Sequence, residues 1–97
     1  MQKNEHQPPD IADRTIVNLP ADIGIIVQMR RKKFGLTQAM AAALCNVGTR
    51  FLSDLENGKP TIHLGKTMRV LKNFGVVVVL KKKTLADMGL GVRDVSD

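Results

Sequence analysis

Residues 36–58 read LTQAMAAALCNVGTRFLSDLENG and encode two short helices with a sharp turn between them. Thr37 offers a hydroxyl to cap an orphan N–H of the first helix, and helix formers then run from Gln38 to Leu44. Asn46 stands where the chain must reverse, and its short polar side chain tolerates left-handed backbone geometry. A second helix follows from about Gly48 to Glu56, and Gly58 ends it as a C′ residue does. Val47, Phe51 (or Leu52) and Leu55 recur at helical intervals, so they form the face that packs on the partner helix.

Outward from this stretch, Pro20 suits a first-turn position and opens a helix running to about Phe34. Ile23, Ile26, Val27 and Arg30 share one of its faces. Arg31 to Lys33 lie near its C-terminus, where cations complement the helix dipole, and Gly35 ends it. Downstream, Lys59-Pro60-Thr61 is a loop, and Thr61 or Ile62 leads into a fourth helix reaching about Asn73. The predicted core face of that helix is Leu64, Met68, Leu71 and Phe74, and Gly75 closes it. Val76-Val77-Val78-Val79-Leu80 then breaks the helical period and reads as a strand. A lone strand leaves its backbone unpaired. The economical partner is the same strand of a second copy across a twofold axis, with a short strand at Thr15-Ile16-Val17 as the rival. Residues 1–19 are polar and Pro-containing and read as a mobile N-terminal arm. Residues 84–97 read as a flexible tail, or one that orders on a partner. The expected architecture is all-α, with four to five helices in a unit spanning 20–83 and a C-terminal β-strand pairing across a dimer.

At 97 residues the chain has room for one domain. Cys45 is its sole cysteine, which excludes an intrachain disulfide and a Cys-based metal cluster. Its position predicts a small buried residue rather than a catalytic thiol, since the two histidines are His6 in the arm and His63 near a helix start. No run approaches the roughly 18 apolar residues of a membrane span, and the N-terminus lacks a basic-then-apolar leader. A cytoplasmic, nucleoid-associated protein is expected. No nucleophile–base pair, metal set or phosphate-cradling loop is present, so the pattern calls for no catalytic residue, metal, cofactor, small-molecule ligand or membrane partner. The formal net charge of +6 is unevenly spread. Residues 24–83 hold twelve Lys/Arg against Asp54 and Glu56, a net +10, while the flanks 1–23 and 84–97 are each −2. A basic centre between acidic ends describes a polyanion-binding body with solvated tails.

Two short helices within such a body form a helix-turn-helix unit, which lays its second helix in the DNA major groove. The outward side chains near the start of that helix are Thr49, Arg50, Ser53 and Asp54. Arg50 carries a guanidinium that can bond guanine O6 and N7 together. Thr49 can touch a thymine methyl group or a phosphate. Asp54 either accepts from a cytosine amino group or orients Arg50 one turn earlier. Thr37 and Gln38 lie at the N-terminus of the preceding helix, where backbone N–H groups favour phosphate. Asn57 and Lys59 flank the end of the recognition helix and face the DNA backbone as well. A protein-interaction adaptor that has lost DNA binding is the alternative from another class.

From Gly24 to Leu80 the chain resembles the Cro/phage-repressor (XRE) type of helix-turn-helix protein, with a lambda-repressor-like fold. Within that group it is most similar to HipB-like antitoxins. The matching marks are Arg31, Gly35-Leu36-Thr37-Gln38, Asn46-Val47-Gly48, the run FLSDLENGKPT from Phe51 to Thr61, and the helix-to-strand junction from Leu71 to Leu80. The resemblance implies a homodimer that represses its own operon by binding double-stranded operator DNA, and that also binds a HipA-like Ser/Thr kinase toxin. A stand-alone XRE-type regulator of a prophage or operon, without a toxin partner, is the alternative. The resemblance further implies a structural ion pair between Arg31 and Glu56, base contacts from Thr49, Arg50, Ser53 and Asp54, and phosphate contacts from Gln38, Asn57 and Lys59. The chain departs from the family at Ala41 (commonly Leu), Asn46 (commonly Gly) and Gly48, a weak cap. Looser packing of the second helix, filled by Met29 or Met40, is expected from the first of these.

Overall fold

A computed structural model describes residues 8–90, so His6 and the outermost parts of the arm and tail lie outside the described residues. Within them the chain forms four α-helices: α1 (Pro20–Lys33), α2 (Gln38–Cys45), α3 (Thr49–Glu56) and α4 (Leu64–Asn73). The helix boundaries follow local chemistry. Pro20 occupies the first turn of α1, where its missing N–H costs no bond. The Asp22 carboxylate accepts from the backbone N–H groups of Asn18 (2.8 Å) and Leu19 (2.9 Å), which hold its pKa below the ordinary value. Thr37 Oγ1 accepts from Met40 N–H at 3.1 Å and caps α2. His63 Nδ1 accepts from Lys66 N–H at 3.1 Å and caps α4, which therefore begins at Leu64 rather than at Thr61 or Ile62.

All four helices end in the same closure, with the C″ amide bonded to the C3 carbonyl: Leu36 to Arg31, Val47 to Ala42, Lys59 to Asp54 and Val76 to Leu71. The motif requires a left-handed residue at C′. Three of these positions are glycine, and the fourth is Asn46 at φ 57°. The turn between α2 and α3 is therefore as sharp as a glycine would make it.

The core is Ile26, Val27, Ala41, Ala42, Cys45, Leu52, Leu55, Val70, Leu71 and Phe74. Leu52 and Leu55 are the buried residues of α3, while Val47 and Phe51 pack at its margin. On α4 the expected face is corrected. Leu64 is 67% and Met68 44% exposed, and the buried stripe is Thr67, Val70, Leu71 and Phe74. The sequence places a polar Thr on the inner face because its hydroxyl donates back to the His63 carbonyl at 2.8 Å, leaving nothing unsatisfied. Met40 also lies outside the core, half exposed, and Ala41 is itself fully buried, so the small residue brings α2 close instead of leaving a gap for Met40. Gly24 works the same way between α1 and α3. A Cβ at Gly24 would sit 2.3 Å from the Leu55 carbonyl oxygen, so the helices cross in backbone contact there.

Beyond α4, Val76 packs on the core. Val77, Val78, Val79 and Leu80 form no strand within the single described chain, and they are 82, 46, 77 and 93% exposed. At 84–90 the chain closes one capped turn. Thr84 and Asp87 exchange side-chain to backbone bonds at 3.0 and 3.2 Å, and Leu90 N–H bonds the Leu85 carbonyl at 2.9 Å. At the other end Asp10 is ion-paired to Arg30 at 2.8 Å, and Ile11 packs against the core.

Candidate nucleic-acid interface

Thr49 and Arg50 are exposed at the start of α3, with Ser53 and Asp54 half-buried one turn on. Among the described residues Arg50 has no hydrogen-bond or ion-pair partner. Asp54 does not orient it: its carboxylate meets Lys59 Nζ at 3.7 Å across the helix end. Asn57 Nδ2 lies 3.5 Å from Ser53 Oγ, a long contact. The expected base-facing set is thus brought to one exposed helix face, with Asn57 and Lys59 at its end. Thr37 and Gln38 stand at the N-terminus of α2, Thr37 engaged as its cap.

What fixes this face is a buried polar cluster beneath it. Arg31 of α1 donates to Glu56 of α3 from Nε (2.6 Å) and Nη2 (2.9 Å), a bidentate pair. The Glu56 side chain is 1% exposed and the Arg31 side chain 10%. The third Arg31 nitrogen donates to the Leu36 carbonyl at 2.9 Å. Glu56 also accepts from Gln38 Nε2 at 3.0 Å and, more distantly, from Gln28. Burial pushes the Glu56 carboxyl upward, but the bonds and charge of Arg31, with the two glutamines, outweigh it and hold the group below the ordinary glutamate value. The same pairing raises the pKa of Arg31. One carboxylate therefore ties α1, α2 and α3 together, and no buried side-chain polar atom is left without a partner among the described residues.

Three further positioning residues carry no sequence signal that marks them. Arg69 of α4 donates to the Asn46 carbonyl at 2.9 Å and braces the turn from behind. Arg30 donates twice to the Phe74 carbonyl, at 3.0 and 2.8 Å, closing the end of α4. Its guanidinium also lies over the Phe34 ring, 4.8 Å from the centroid. Gln28 completes the Glu56 cluster. Cys45 is buried, and burial pushes its thiol pKa up, so it is not poised as a nucleophile. The described residues contain no group of three or more His, Cys, Asp or Glu able to hold a metal, and no helix long and apolar enough to cross a membrane.

Known proteins share this fold. A family model described as helix-turn-helix matches residues 27–76. A curated relative, the uncharacterized HTH-type transcriptional regulator y4mF of Sinorhizobium fredii, is 46% identical over 59 residues, covering 61% of this chain and 78% of the relative. Among solved structures, a HipB–O4 20mer complex is similar with a TM-score of 0.65 at 17% identity, over 73% of this chain and 100% of that one. A HipB variant in complex with an O2 20mer is similar with a TM-score of 0.66 at 18% identity, over 74% and 100%. At those identities the likeness is one of fold. The family model spans just over half of the sequence, and the chain belongs to the helix-turn-helix family as an XRE-type DNA-binding transcriptional regulator.

Proposed function

We propose that the chain represses transcription by binding operator DNA as a homodimer, and that it is the antitoxin of a HipBA-like pair, also binding a HipA-like Ser/Thr kinase toxin. The observation that carries the DNA-reading role is Arg50, exposed and without a partner among the described residues on a helix pinned from beneath by the Arg31–Glu56 pair. In this reading Thr49, Arg50, Ser53 and Asp54 meet base edges. Gln38, Asn57 and Lys59 meet phosphates, and Thr37 adds its hydroxyl beside the first-turn amides of α2. Dimerisation uses Val76 to Leu80, a run whose unpaired backbone and exposed side chains from Val77 to Leu80 call for a second strand. Two recognition helices then enter major grooves about 34 Å apart. The fold likeness to HipB and the FLSDLENGKPT run support the antitoxin role. The higher identity to a relative named only as a transcriptional regulator favours the second reading, a stand-alone regulator.

The test is capture of the tagged chain from its native cells, with bound protein and DNA identified together. Promoter DNA with a kinase-like protein is the expected result, and promoter DNA alone leaves the stand-alone regulator. In binding assays, Arg50→Ala is expected to cost roughly 1–3 kcal/mol on the operator and to relax specificity at one base pair. An equal loss on operator and random DNA would overturn the base-reading role.

A further inference from the structure

The N-terminal arm folds back along α1 and leaves an open groove of about 230 Å³ between them. Ile11, Ile16, Ile25, Ile26 and Met29 make its apolar lining, and Asp22 stands at one end. Ile16 and Ile25, 80 and 56% exposed, stand open at its rim above the half-buried Ile11 and Met29 and the buried Ile26. At the other end, the arm is clamped by Asp10 on Arg30. The same Arg30 touches the point where the C-terminal segment leaves the body, since a Cβ at Gly75 would lie 3.3 Å from its guanidinium.

We infer that this groove receives the capped turn 84–90 of a second copy of the chain, so that each protomer clasps the other. The inference rests on the proposed homodimer. Exposure along the valine run alternates, with Val76 and Val78 more covered than Val77 and Val79, the period of a strand with one face on the body. Antiparallel pairing of two such runs about Val78 sets Lys81 of one copy opposite Gly75 of the other, which is the Arg30 end of the groove. From Arg30 back to Asp22, α1 covers about 12 Å. Lys82 to Thr84 span about 10 Å when extended, so the turn arrives over the lining.

Its chemistry fits what it meets. Leu85, Met88 and Leu90 are exposed on a turn already ordered by the Thr84–Asp87 bonds, so little further ordering is needed on docking. Lys81 to Lys83 precede it, and residues 8–23 carry Asp10, Asp13 and Asp22 against Arg14 alone. Basic linker and acidic arm therefore attract.

The test is co-expression of two full-length forms, Thr15→Cys and Met88→Cys, followed by mild oxidation and sedimentation. Both positions are on the surface and Cys45 is buried, so neither folding nor the native thiol interferes. A disulfide joining one form to the other is expected, at a yield at least tenfold above either form alone and suppressed by adding Ile16→Asp. Met88→Asp alone is expected to raise the dimer dissociation constant about ten- to a hundredfold. A stable dimer without the mixed disulfide would overturn the clasp while leaving the strand-paired dimer standing. A monomer at all concentrations would overturn the homodimer itself. A disulfide formed within one chain carrying both cysteines would assign the groove to the chain's own turn and overturn the inference.

Discussion

Replacing Glu56 by Gln keeps the shape of the residue and removes its charge, which isolates what the buried pair contributes. Arg31 would keep its bond to the Leu36 carbonyl but lose both ionic bonds, at 2.6 and 2.9 Å, with its side chain only 10% exposed. Gln38 and Gln28 would lose a charged acceptor as well. Removing one member of a buried pair costs about 3–5 kcal/mol, because the other charge stays desolvated without compensation. The new amide can still accept one bond, so the lower end applies, about 3 kcal/mol out of a total of about 5–15. For a domain of this size that lowers Tm by roughly 12–24 °C. The effect has a pH signature. The folded-state carboxyl is held below its ordinary value, so its stabilisation is complete above the unfolded value near about 4.3 and is lost as pH falls through the lower folded value. Urea unfolding of both proteins at pH 7 and pH 3 reads this directly. The gap between them is expected to be wide at pH 7 and to narrow at pH 3. A gap under about 1 kcal/mol at pH 7, or one unchanged between the two pH values, would show that the pair does not hold the helices as argued.

Gly24→Ala is expected to destabilise by roughly 1–3 kcal/mol, because the new methyl meets the Leu55 and Glu56 carbonyl oxygens at 2.3 and 2.8 Å and backbone cannot swing aside. An unchanged denaturation midpoint would mean that α1 and α3 do not cross so closely. Arg69→Met removes the brace on the Asn46 carbonyl, and a loss of about 1 kcal/mol is expected. Hydrogen exchange at Val47 and Gly48 should quicken with it, and unchanged exchange there would show that the turn holds itself. The Cys45 thiol is expected to react with a disulfide reagent only through unfolding, at a rate that rises with urea. Rapid labelling of the native protein would contradict its burial.

The helix-turn-helix unit was legible because its signals are local. Thr37 caps one helix, Asn46 takes the left-handed turn, Gly58 closes the next helix, and each acts within a few residues of itself. The buried pair of Arg31 and Glu56 came through family resemblance, since spacing alone does not bring residues 25 apart together. On α4 the large apolar residues Leu64 and Met68 mark the wrong face, being 67 and 44% exposed. Burial there follows helix phase and the His63 cap, so Thr67, with its hydroxyl satisfied, takes an inner place. Arg30 and Arg69 lay beyond sequence reasoning for a different reason. Each bonds a backbone carbonyl, at Phe74 and Asn46, and a carbonyl has no identity in the sequence.

Those two residues change what the basic centre means. Read as a total, the +10 between residues 24 and 83 is a uniform attraction for a polyanion. The geometry divides it. Of the four arginines in that span, Arg30 closes α4, Arg31 neutralises Glu56 and Arg69 braces the turn. Arg50 alone of the four is without a partner among the described residues, and it stands at the exposed start of α3. Arg30 and Arg31 set their charge against Asp10 and Glu56, so neither can turn to a phosphate without giving up an ion pair that maintains the fold, whereas Arg69 gives one N–H to a neutral carbonyl and keeps its charge. On the proposed reading, phosphate neutralisation then falls mainly to lysines, each a compact charge on a long flexible stem. On the same reading Arg50, whose planar fork can distinguish one base pair from another, serves the recognition helix. The salt dependence of binding and its sequence dependence should accordingly separate. Lys59 leaves its loose, half-exposed contact with Asp54 (3.7 Å) at little cost, and neutralising it is expected to lower the salt slope by about 0.9 and weaken all sequences alike, whereas Arg50→Ala acts on one base pair. If the two substitutions behaved alike on operator and random DNA, the division of labour between Lys59 and Arg50 would not hold.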